Sequence, residues 1–152
     1  MSTFARATDK KYAALTLALC FETLGDLDDP KLTEKEAELI GAVAAIGAEQ
    51  CGEQLTKDGV SSTLDEFQMW WSQDHVQPVH AFDSLIAAAA TLKEHWKTGK
   101  DGHVHFLMAV MALGAVDGEI SETEKPLPGL ICGVMGIEQA TYDRARKELF
   151  GR

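Results

Sequence analysis

Carboxylates gather in two places along this chain. Asp117-Gly118-Glu119-Ile120-Ser121-Glu122-Thr123-Glu124 holds four acids and no base, and the stretch from Asp26 to Glu38 holds six acids against Lys31 and Lys35. Oxygen donors in such numbers suit a hard divalent cation such as calcium or magnesium. The same residue types also belong at helix starts, where they cap free N–H groups and complement the dipole. The spacing leaves both readings open, but it excludes an EF-hand. The loop's twelfth position, where the bidentate glutamate belongs, falls on Pro128 or Ala37 when counted from Asp117 or Asp26.

Other chemistry has less support. His103-x-His105 and the His75, His80 pair lack the spacing that puts two imidazoles on one helix face, and no HExxH is present. Nor is there a GxSxG elbow, a CxxC pair or a glycine-rich phosphate loop. A carboxylate-rich pocket with His80, His103 or His105 beside it is what a metal-dependent enzyme would need. Met69-Trp70, with Phe4 or Trp96, is the candidate aromatic contact for a protein partner.

The elements that position the acids repeat. At an offset of 88 positions, from Asp29 to Asp117, Leu32 matches Ile120, Thr33 matches Ser121, and Glu34 and Glu36 match Glu122 and Glu124. The match continues through Leu39 with Leu127, Gly41 with Gly129, Val43 with Ile131, and Ile46 with Val134. Two copies of one helical hairpin are expected, each with an acidic turn. Packed about a pseudo-twofold, the two turns could approach and share a cation.

Helical periodicity runs through the rest. About Thr8 to Leu24 places Tyr12, Leu15, Leu19 and Thr23 on a stripe that Gly25 ends. Thr33-x-x-Glu36 is a capping box for a helix from about Glu34 to Leu55. Lys57-Asp58-Gly59 reads as punctuation, and Thr63-x-x-Glu66 as the capping box of a short helix with Leu64, Phe67, Gln68 and Trp71 on one side. One of Trp70 and Trp71 is expected in the core and the other outside it. Pro78 opens a helix to about Trp96 with Phe82, Leu85, Ile86, Ala89 and Leu92 as its apolar face. Asp101 caps the next, to about Ala115. The next helix contains Pro126 and Pro128, so it starts near Lys125 with a proline in its first turn or at Ser121 with a bend; Gly136 ends it, and Glu138 to Phe150 is the last. No stretch shows sustained period-2 alternation, so the fold class is all-α: a single compact bundle of about seven helices with an internal pseudo-repeat of hairpins.

Composition bounds the partners. The 152 residues suit one domain, and 24 acids against 14 lysines and arginines give a formal net charge of −10, which repels nucleic acid and anionic lipid. Cys20, Cys51 and Cys132 are odd in number and set among small apolar residues, as buried thiols are. The apolar run after Lys11 is too short for a membrane span. A cytoplasmic protein with no direct membrane insertion is expected.

From Ala109-Val110-Met111-Ala112-Leu113 through Asp117-Gly118-Glu119 to Gly136-Ile137, the chain resembles the tellurite-resistance TerB-like family and the related domain of membrane-bound DnaJ-like co-chaperones. The resemblance is weaker over Leu19 to Gly47. Asp29-Pro30 stands where the family has Asp-Gly, and Pro126 and Pro128 interrupt a helix that usually continues. The resemblance implies one TerB-like helical domain over residues 1–152, acting as a cation-binding or protein-binding module of bacterial stress-response systems with no known catalytic step. By matching position it points to Asp117, Glu119 and Glu124, and in the first copy to Asp29 and Glu36.

Overall fold

A computed structural model describes residues 3–25, 32–97, 99–115 and 126–151, the side chain of Lys100 excepted. Among them there is no strand. A 3₁₀ turn, Ala5–Thr8, leads into α1 (Ala13–Gly25), α2 (Glu34–Gln50), α3 (Lys57–Trp71), α4 (Pro78–His95), α5 (Lys100–Gly114), α6 (Leu127–Met135) and α7 (Gln139–Phe150). The expected all-α bundle is present, and no helix of the described residues is long and apolar enough to cross a membrane.

The bundle is built around α1. Its sequence, AALTLALCFETLG, is apolar on nearly every face, and such a helix has to be surrounded. It is buried throughout except at Thr23 and Gly25, with α2, α4, α5 and the 3₁₀ turn packed on it. The expected single stripe is therefore replaced by a central helix. Tyr12 precedes that helix, and its ring lies under the Arg6 guanidinium. Outside this centre, α7 packs on α5 and α6 on α4.

Local signals set several boundaries. Thr33 Oγ1 accepts from the Glu36 N–H at 3.1 Å while Glu36 Oε1 accepts from the Thr33 N–H at 2.9 Å, completing the expected capping box. The helix it opens stops at Gln50, short of Leu55. Pro78 opens α4, and Gly136 closes α6 in the left-handed region at φ 72°, with the Ile137 N–H donating to the Cys132 carbonyl. At α5 the N-cap is Gly99, and Asp101 reaches Arg144 of α7 at 3.1 Å instead.

α3 departs from expectation at its start. Thr56 is the N-cap, accepting from the Gly59 N–H, so Lys57-Asp58-Gly59 is the first turn of the helix. Thr63 lies in the interior, where its hydroxyl donates to the Gly59 carbonyl and accepts from Arg6, while Glu66 also pairs with Arg6. A long-range arginine has taken both halves of the apparent capping box. On the same helix Phe67 is buried, Trp70 and Trp71 are both half-buried, and Gln68 is exposed.

Burial follows the repeat at some positions and departs from it at others: Leu39 is half-buried where Leu127 is buried, and Gly41 is half-buried where Gly129 is exposed. Ile40 and Pro128, Val43 and Ile131, Ala44 and Cys132, and Gly47 and Met135 are all buried, Ala45 and Gly133 are both exposed, and Ile46 and Val134 are both half-buried. The partners differ: α2 lies along α1, whereas α6 packs chiefly on α4 and only lightly on α5. One position in the repeat carries a cost. Thr16, fully buried, has a hydroxyl with no hydrogen-bond partner among the described residues, and its counterpart in the second copy is the buried Val104. Burying an unpaired hydroxyl costs about 1–3 kcal/mol. Thr16→Val, which keeps the shape, is expected to raise stability by about 1 kcal/mol in urea unfolding; an unchanged or lowered midpoint would show that the hydroxyl is satisfied.

Candidate functional site

Asp29, Asp117, Glu119 and Glu124 lie outside the described residues. Of the five acids singled out, Glu36 is described, and its environment is that of a cap. It is buried, 5% exposed, with Oε1 held by the Thr33 N–H in the first turn of α2. Among the described residues no three His, Cys, Asp or Glu side chains stand close enough together to hold a metal.

α6 differs from α2 at the same place in the repeat. By the offset of 88, a helix matching α2 would begin at Glu122 with Ser121 as its cap; α6 begins at Leu127, after Pro126, and no side chain among the described residues caps it. Pro128 sits in its first turn, where a missing N–H is tolerated. Glu36 stands three positions after the cap of α2, whereas Glu124, its match by the offset, falls outside α6 in the sequence.

Glu22 stands out in the sequence only as an interruption of an apolar run. It is 8% exposed in the last turns of α1, just ahead of the first acidic stretch. A lone acid inside an apolar helix is the available signal.

The histidines are spread over different tasks. His80 Nδ1 accepts from the Gln77 N–H at 2.8 Å and so helps to cap α4. His103 stacks on Trp96, ring centroids 4.8 Å apart, and Trp96 also meets Phe106 edge-on at 5.5 Å. His105 is exposed. Burial holds the His103 pKa below its ordinary 6.5, since the charged imidazolium would lose hydration there. The unfolded chain then binds the proton more readily than the folded one. Stability linked to His103 is full above about pH 6.5 and is lost as the pH falls toward the lower folded value. Urea midpoints should drop between about pH 7.5 and pH 5 more steeply in the wild type than in His103→Phe. Equal slopes would remove His103 from the titration.

All three cysteines are free and buried. Desolvation raises every one of them, Cys132 to about 11, so none offers a ready thiolate at neutral pH.

The aromatic contact resolves into two groups. Phe4, Phe67, Trp70 and Trp71 form a chain of rings with centroids 5.3 to 6.1 Å apart, while Trp96 belongs to the separate His103 and Phe106 stack. Phe4 is buried within its group, and Met69, next to Trp70 along α3, is 70% exposed. Comparison with known proteins adds no relatives: no protein-family model matches the chain, and no curated protein or solved structure is significantly similar to it.

Proposed function

We propose that this chain is a non-enzymatic, cytoplasmic binding module of the TerB-like, stress-response kind, holding a divalent cation such as calcium or magnesium through the Asp117–Glu124 stretch. The observation that carries this reading is the start of α6 at Leu127, behind Pro126 and five positions later than the repeat would put it. In the first copy of the repeat the capping box accounts for Glu36. In the second, the helix starts after a proline instead, and the Asp117–Glu124 stretch ahead of it gathers four acids with no base, oxygen donors of the kind a divalent cation takes.

The test is calorimetric titration of chelator-treated protein with calcium, magnesium, manganese and zinc. Saturable binding is expected in the wild type, lost in the Asp117→Asn, Glu124→Gln variant and kept in Glu36→Gln, because glutamine preserves a capping box. No uptake at millimolar cation would overturn the reading. A second reading, a metal-free protein-interaction scaffold, is favoured by the exposure of Met69, the neighbour of the half-buried Trp70 along α3. Large apolar side chains left in water beside half-buried aromatics are common at interface centres.

A further inference from the structure

The short element before α1 is held to the bundle in the way a bound peptide is held. The Phe4 ring packs on α3, edge-on to Phe67 at 5.3 Å and tilted on Trp70 at 5.5 Å, while its backbone turns to α4. Its backbone N–H donates to Ser84 Oγ at 2.9 Å, and Ser84 in turn donates to the His80 carbonyl. Two residues on, Arg6 donates from Nε and Nη2 to the two oxygens of Glu66, at 2.7 and 3.0 Å, and from Nη1 to Thr63 Oγ1 at 2.7 Å. The receiving surface thus combines an aromatic pocket, a backbone-binding hydroxyl and a carboxylate that takes arginine in two-point fashion. These are the parts of a segment-recognition site.

We propose that this surface, made by Thr63, Glu66, Phe67 and Trp70 of α3 with Ser84 of α4, is a docking site for a partner segment with an aromatic residue and an arginine two positions on, and that the chain's own Phe4–Arg6 occupies it as an autoinhibitory stand-in. Charge favours such a partner: α3 carries Asp58, Asp65 and Glu66 against Lys57 alone, on a chain of net charge −10, which attracts basic segments. Met69 gives the partner its advantage. It lies next to Trp70 on α3 and is 70% exposed with Phe4–Arg6 in place, so an incoming segment can cover apolar surface that the resident one leaves in water. This inference is independent of cation binding.

A synthetic peptide of residues 3–9, titrated calorimetrically into the full chain, tests it. The Phe4→Ala, Arg6→Ala variant, with its resident segment weakened, is expected to bind the peptide at least about tenfold more tightly than the wild type, whose own segment competes. Adding Glu66→Arg to that variant should abolish the binding. A variant that keeps its helical circular dichroism yet takes up no peptide overturns the proposal. If the variant does not fold, amide exchange on the wild type decides: the Phe4 N–H should exchange at least about tenfold faster than the amides of Leu85 and Leu107 in the core, and equal rates would make the segment an inseparable part of the fold.

Discussion

Gly47→Ala is expected to lose about 2–4 kcal/mol in urea unfolding, although alanine is the better helix former by about 1 kcal/mol. The reason lies where three helices meet. A Cβ at Gly47 would overlap the Cβ of Ala14 on α1 and stand 3.3 Å from Phe106 Cε1 on α5. Ala14 has no rotamer to yield, so α2 would have to move away from the central helix. Ala14→Gly in the Gly47→Ala background should recover part of the loss, and a double-mutant cycle should give a coupling of about 1–3 kcal/mol. A stabilised Gly47→Ala would mean that α1 and α2 do not approach so closely.

Phe106→Ala is expected to cost about 3–5 kcal/mol, the range for emptying a phenylalanine site in a close-packed core. Phe106 is fully buried and lies edge-on to Trp96, next to the point where α2 crosses α5. The cavity would remove contacts from α2 and from the Trp96–His103 stack together, so the loss should come with a changed tryptophan emission. A loss below about 1.5 kcal/mol would indicate a site that collapses freely, at odds with its packing.

What can be read from the residues is local. The Thr33 and Glu36 capping box, the proline that opens α4 and the glycine that closes α6 each act on backbone groups within a few residues, and all three are where the spacing puts them. Long-range competition is hidden. Thr63-x-x-Glu66 has the form of a capping box, but Arg6, about 60 positions away, claims both side chains, and Thr56 caps instead. The same limit applies to burial. Periodicity identifies one apolar face, whereas the enclosure of α1 from nearly every side follows from how four elements assemble around it. Spacing puts Phe82 on the apolar face of α4, yet it is 36% exposed for the same reason.

The candidate site is legible as residue types and not as roles. By composition alone, the six acids near the first copy and the four of the other copy are alike. The separation between them comes from the helices that follow: α2 begins where its capping box allows, and α6 begins five positions later in the register, after a proline. Sequence supplies the proline but not the boundary. Glu22 is hard to single out because one acid in an apolar helix carries no spacing pattern, although burial marks it.

Amide chemical-shift mapping during calcium titration tests the cation reading most directly, because it locates the ion as well as detecting it. The account predicts saturable shifts confined to the stretch between Ala115 and Leu127, with the Thr33 to Glu36 cap unmoved. Shifts centred on Thr33 to Glu36, or none at millimolar calcium, would contradict it.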